Sequence, residues 1–202
     1  MRITALVSCL LLLCAAPCAL AIVVGTDFDS QLLGPYAGPA AVNPPGSAGV
    51  QVVPDGLGYA GAPALGSGSG NMLRIDALNN PGPITVTFVF MCDVIPDNLC
   101  RIGYTYGASA WDIYSGFGVY VDDPSLTNPD DLWEPPVGFP PSTVGPGSNH
   151  ENTGECDGAA HTITFVVYPG TVLHLDNMAT ECLQNPVGDE QPNWGALKAW
   201  YR

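Results

Sequence analysis

Glycine and proline interrupt this chain so often that no long helix fits between them. There are 24 Gly and 20 Pro in 202 residues. Glycine loosens the backbone and proline removes a hydrogen-bond donor, so both gather at turns, bulges and element ends. Between them lie short apolar runs bounded by turn residues, the pattern of an antiparallel sandwich. The runs predict strands over Gly49–Val53, Met72–Ala77, Ile84–Met91, Arg101–Tyr106, Gly116–Val121, His161–Tyr168 and Thr171–Met178. A weaker strand is expected around Asp27-Phe28-Asp29. The expectation is an all-β fold, an antiparallel two-sheet β-sandwich.

Alternation assigns faces. In ITVTFVF, Ile84, Val86, Phe88 and Phe90 point one way and Thr85 and Thr87 the other. Ile163, Phe165 and Val167 form a second row, opposed by Thr162 and Thr164. In GTVLHLDNMATEC, Leu173 and Leu175 face inward. His174 and Asp176 share the other face, so Asp176 is expected outside the core. Gly34 to Gly70 and Asp122 to Ser148 resist assignment. The second of these holds two acidic pairs, Trp133, Phe139 and many prolines, and reads as a long loop of the kind that carries function.

The amino-terminal residues set the compartment. Met1-Arg2 is a short basic start, Ile3 to Cys14 is almost wholly apolar, and Ala19-Leu20-Ala21 is an A-x-A cleavage site. The apolar run is shorter than the roughly 20 residues a spanning helix needs. This predicts a signal helix over 1–21 and a secreted or cell-surface protein without a transmembrane segment. After cleavage Cys92, Cys100, Cys156 and Cys182 remain, an even set that suggests two disulfides in an exported protein. Pro-Asp-Asn at 96–98 and the Tyr168-Pro169-Gly170 turn each read as the centre of a hairpin. Local pairs Cys92–Cys100 and Cys156–Cys182 are therefore preferred. A four-cysteine zinc site lacks any C-x-x-C spacing.

Charge excludes some partners. The chain has 19 acidic and 5 basic residues and a formal net charge of −14. Between Ile22 and Gln191 only Arg74 and Arg101 are positive. Nucleic acid and anionic membranes both need a basic footprint, and there is none. An acidic surface suits calcium, neutral glycans or simple solubility.

The order of features carries a resemblance. An early "DFDS", then "GSGSGNMLRIDA", "ITVTFVF", "CRIGYTYG", "GFGVYVDD" and a closing "HTITFVVYPGTVLHLDN" resemble the jelly-roll β-sandwich domains of secreted bacterial proteins. That group is related in fold to carbohydrate-binding modules and galactose-binding-like domains, and the likeness spans roughly Asp27 to Cys182. It implies a jelly roll. It also implies a structural calcium where an acidic residue of the first strand meets an aspartate of the last. The matching positions are Asp27 or Asp29 with Asp176, Asn177 being nearby, a hard-oxygen set of the kind calcium favours. The other reading of Asp176 is a strand-end aspartate bonded to turn amides.

No strong catalytic grouping is present. His174-Leu175-Asp176 puts an imidazole and a carboxylate on one strand face, a spacing common by chance. "GSGSG" at 66–70 lacks the strand-to-helix setting of a nucleophile elbow. Asp122-Asp123, and Asp130-Asp131 with Glu134, are carboxylate pairs of the type used in glycoside hydrolysis, yet adjacent loop acids are usually just solvated. Binding is the better reading, since sugar-binding sandwiches stack aromatic rings on pyranoses. Trp111, Tyr114, Trp133 and Phe139 are the candidate ligand-binding residues. Tyr104, Tyr106 and Tyr120 lie on strands and read first as packing residues. The expected function is a secreted, non-catalytic binding module for a glycan or surface polymer. A structural surface protein or adhesin without a small ligand is the alternative, and a glycan-active hydrolase or lyase the third reading.

The domain layout follows: signal peptide 1–21, sandwich 22–182, linker 183–193, tail 194–202. In the tail, WGALKAWYR, a helix would align Trp194, Leu197 and Tyr201. So short a helix is marginal alone. The tail is either a frayed end or a tag that docks to export or surface machinery.

Overall fold

A computed structural model describes residues 25–26, 28–55, 70–110, 115–134 and 142–184. The leader, the tail, Asp27, Trp111, Tyr114 and Phe139 lie outside the described residues. The strands are β1 (Gly25–Thr26), β2 (Gly34–Pro35), β3 (Ala41–Asn43), β4 (Val50–Pro54), β5 (Asn71–Asp76) and β6 (Ile84–Met91). They continue as β7 (Val94–Ala110), β8 (Phe117–Val121), β9 (Asp131–Trp133), β10 (Ser142–Asp157), β11 (Ala160–Val167) and β12 (Thr171–Gln184). One sheet is seven-stranded, ordered β10-β7-β12-β5-β4-β2, with β1 also paired to β12. The other is five-stranded, ordered β3-β6-β11-β8-β9. Every ladder is antiparallel. The chain is an all-β, two-sheet sandwich.

The core lies where the expected inward rows meet. In β6 burial alternates residue by residue, with Ile84, Val86, Phe88 and Phe90 inside. Opposite them are Leu73 and Ile75 of β5 and Leu173 and Leu175 of β12, all fully buried. Phe88 makes edge-on contacts with Phe28 and Phe165, at 6.3 and 6.2 Å between centroids. Burying one such ring contributes about 1.5–3 kcal/mol.

Four expectations need correction. The first strand ends at Thr26, and Phe28 turns the chain instead: its φ is 59° and its ring is buried at 0% exposure. A bulky residue adopts that backbone region only when held there, and the core contacts of the ring hold it.

Second, neither assumed hairpin exists. β6 and β7 belong to different sheets, as do β11 and β12. Cys92-Asp93 and Tyr168-Pro169-Gly170 are therefore arches between the sheets. The Pro169 arch is tied down by Gly170 N–H donating to the Ala77 carbonyl at 3.0 Å and Ser115 Oγ donating to the Pro169 carbonyl at 3.0 Å. Both preferred disulfides form, with Cα separations of 5.8 Å for Cys92–Cys100 and 6.2 Å for Cys156–Cys182. Cys92–Cys100 joins an arch to β7, and Cys156–Cys182 joins β10 to β12 across the intervening β7.

Third, the segment 122–148 is not one loop. It contains β9 and the start of β10, a long edge strand paired to β7. β10 also breaks register three times, at Val144/Gly147, Asn152/Gly154 and Glu155/Asp157. Such bulges twist an edge away from further pairing.

Fourth, His174 and Asp176 do face away from the sandwich core, yet they are 2% and 4% exposed. β12 also continues through Leu183 and Gln184, where the linker was expected to begin.

Candidate functional site at the sandwich edge

At one open edge β10 ends the larger sheet and β9 ends the smaller one. In β9 the pairing with β8 sets Asp131 opposite Val119 and Trp133 opposite Phe117. Leu132, between them, points out and is 47% exposed, so Asp131 and Trp133 share the face turned toward the larger sheet. Gly116 makes this possible: its φ is 141°, and a side chain there would collide with the Trp133 carbonyl. On the larger sheet Asn149 lies opposite Tyr104, and Glu151 opposite Ile102.

These strands bring two carboxylates to one amide. Asn149 Nδ2 donates to Asp131 Oδ2 at 2.5 Å and to Glu151 Oε1 at 2.9 Å. The Glu151 carboxyl is pushed up to about 7, first by burial and then by the Asp131 and Asp130 charges. Nearby, Asp130 accepts from the Val121 N–H at 2.6 Å, which fixes the loop leading into β9.

Aromatic rings form the floor and rim. Tyr104 is 2% exposed and its ring meets Phe165 edge-on at 5.1 Å. Burial and the Glu151 and Asp131 charges raise its hydroxyl well above the usual tyrosine range. Tyr106, half-buried, is raised by burial and by Asp131. It packs on Phe117, which in turn stacks on Trp133 at 5.8 Å and 25°.

Of the candidate ligand-binding residues, Trp133 is thus at this corner with one face stacked on Phe117. Trp111, Tyr114 and Phe139 lie outside the described residues. Tyr120 is on the outer face of the smaller sheet, its hydroxyl 3.3 Å from that of Tyr168. Asn149 and Glu151 were not singled out from the sequence. Their only signal is the i, i+2 spacing in SNHENTGE, which means something only once that segment is known to be a strand.

The proposed calcium ligands are partly described. β1 does pair with β12, Thr26 opposite Met178, so the first strand meets the last just beyond Asp176. Asp176 Oδ1 accepts from the Asn177 N–H at 2.8 Å and Oδ2 from its Nδ2 at 3.0 Å. Asp29 Oδ1 accepts from the Asn71 N–H at 2.6 Å. Both carboxylates therefore carry amide donors. Among the described residues, the one grouping of three ligating side chains is Cys92, Cys100 and Cys156, with sulfurs within 4.8 Å of one another. All three are in disulfides, which offer no thiolate to a metal.

The histidines are accounted for separately. Burial, then the Arg74 charge, pulls His174 down to about 3, so it is neutral near pH 7. His161 Nδ1 lies 2.8 Å from Asp122 Oδ2, and its Nε2 lies 3.8 Å from Asp157 Oδ1.

No protein-family model and no curated protein matches the chain. Among solved structures it is similar to a family 61 carbohydrate-binding module in complex with β-1,4-galactotriose, at 10% identity and a TM-score of 0.41, covering 71% of this chain and 86% of that one. It is similar to a cleaved adhesin domain of Lys-gingipain from Porphyromonas gingivalis, at 13% identity and a TM-score of 0.47, covering 78% and 96%. It is also similar to a family 22 carbohydrate-binding module of Clostridium thermocellum, at 13% and 0.40, covering 85% and 100%. These neighbours are β-sandwiches, and at these values the likeness carries no information about a ligand. Among the described residues no helix is long and apolar enough to cross a membrane.

Proposed function

We propose that the chain is a secreted, non-catalytic module that binds a glycan or surface polymer at the corner between β9 and β10. One observation carries this: Asp131, Asn149 and Glu151 form a polar chain on a sandwich edge, above Tyr104 and beside Tyr106 and Trp133. Polar groups that read hydroxyls beside aromatic rings are what a sugar site needs. The same chain speaks against hydrolysis. Glycosidase carboxylates flank the scissile bond, whereas here the Asn149 amide fills the gap between them. A glycan array with wild type, Trp133→Ala and Trp111→Ala tests the reading. Signals lost in the variants support it, and silence across neutral, acidic and amino glycans favours a structural surface protein.

Secretion is part of the same proposal, supported by the leader sequence and two disulfides. So is a tail that docks to export or surface machinery: removing residues 194–202 should leave the melting temperature unchanged and alter where the protein accumulates. A structural calcium near Asp176, with Asp27 or Asp29, is a further proposal, supported by the β1–β12 register. An unchanged melting temperature on adding calcium or chelator would remove it.

A further inference from the structure

We propose that the two disulfides form one exchange unit, opened at Cys182 by a neutral or amine-bearing thiol. The proposal is independent of the glycan-binding reading. Strands β7, β10 and β12 and the Cys92-Asp93 arch bring the four cysteines together. The sulfurs of Cys92, Cys100 and Cys156 lie within 4.8 Å of one another, although Cys156 is bonded to neither of the other two. Cys182, the partner of Cys156, stands opposite Cys100 in the β7–β12 register. Cys92 Sγ lies 3.9 Å from the Glu181 carbonyl oxygen, so the arch also rests against β12.

Access separates the four. Cys92, Cys100 and Cys156 are 4%, 0% and 2% exposed. Cys182 is only partly buried, with its Sγ 3.5 Å from the Asp93 carbonyl oxygen. Exchange requires a thiolate to reach a disulfide sulfur, so access selects Cys182. The incoming thiolate bonds to Cys182 Sγ, and the electron pair of the Cys156–Cys182 bond leaves on Cys156. That new thiolate is buried beside the second disulfide. Its attack on Cys92 or Cys100 forms a non-native pair and releases the other sulfur as thiolate. Two disulfides and one thiolate become one mixed disulfide, one internal disulfide and one thiolate. No oxidant or reductant is consumed.

Charge selects the thiol. Asp93, Glu155 and Asp157 are exposed next to the bonded cysteines, and the Arg101 guanidinium is already paired with Glu181 at 2.7 Å. A thiol that carries carboxylates is repelled on approach, whereas a neutral or amine-bearing one is not.

Limited exchange on the intact chain, quenched with acid and read by peptide mass mapping, tests this. The probes are cysteamine, 2-mercaptoethanol and glutathione, compared at equal thiolate concentration. The first adduct should sit on Cys182, accompanied by Cys156 linked to Cys92 or Cys100. Cysteamine should react about tenfold faster than glutathione at low ionic strength, and salt should narrow the gap. Replacing Cys92 and Cys100 by serine should keep the Cys182 adduct and leave Cys156 as a free thiol. Replacing Cys156 and Cys182 by serine should leave Cys92–Cys100 intact under the same treatment. The wild-type map decides alone where a variant does not fold. A first adduct on Cys92 or Cys100, or none on any cysteine, overturns the entrance at Cys182. An adduct there without any non-native pair overturns the exchange unit, and equal rates for cysteamine and glutathione overturn the charge selection.

Discussion

Asp176 sits where β12 exchanges one neighbour for another. Up to Leu175 the strand pairs with β5, and from Met178 it pairs with β1, while β7 stays alongside and slips register between Asp176 and Ala179. Asn177 takes the extra residue's position with φ of 50°, a region asparagine tolerates better than most. The buried Asp176 carboxylate accepts from both Asn177 donors, and its carbonyl accepts from Thr105 Oγ1 at 2.9 Å. Its charge thus serves a bulge first. Asp176→Ala should cost about 1 kcal/mol in urea unfolding, because it removes the acceptor of the part-buried Asn177 N–H. Asn177→Gly should be nearly neutral and Asn177→Val should cost about 1–3 kcal/mol. Equal losses for Gly and Val would show that the backbone conformation is not what matters.

A second residue-scale prediction concerns Glu151. Its folded value, about 7, lies above the ordinary 4.5, so the folded state holds the proton more tightly. Its contribution is complete below about pH 4.5 and is lost as pH rises through about 7. Glu151→Gln should therefore match wild type in acid and gain relative melting temperature above neutral pH. A difference that does not change with pH would contradict the burial of that carboxyl. His174 runs the other way: with its value held near 3, it costs stability as pH falls below the ordinary histidine range. The variant comparison separates the two.

At the scale of elements, the sequence speaks clearly where one face is wet and the other dry. ITVTFVFM is such a strand, and its burial alternates as its letters do. SNHENTGECD is not, since it forms part of an edge strand whose stability comes from pairing with β7 rather than from apolar rows. That is why the corner's Asn149 and Glu151 were invisible while Trp133 was not. Turn chemistry was equally ambiguous, because Pro-Gly reverses a chain the same way within a sheet or between two. The cysteine pairs came out right although the hairpins invoked for them are arches. Their sequence separations, 8 for Cys92–Cys100 and 26 for Cys156–Cys182, make a prediction. Replacing the second pair by alanine should cost about 3.5 kcal/mol and the first about 2.5 kcal/mol in the loop-entropy account. Denaturant midpoints of the two double variants measure this, and the reverse order would contradict it.

At the scale of the whole molecule, the chain passes repeatedly between two sheets, so residues far apart in sequence close one edge. Asp131 and Asn149 touch there although β9 and β10 belong to different sheets. The corner is a product of topology, with its aromatic floor from β7 and its acids from β9 and β10. The most direct test of the account is amide and indole NMR during titration with a glycan that binds the intact protein. The account predicts the largest shifts at Asp131, Asn149, Glu151 and the Trp133 indole. Shifts that spare these residues and gather around His174 and Asp176 on the outer face of the larger sheet would contradict it.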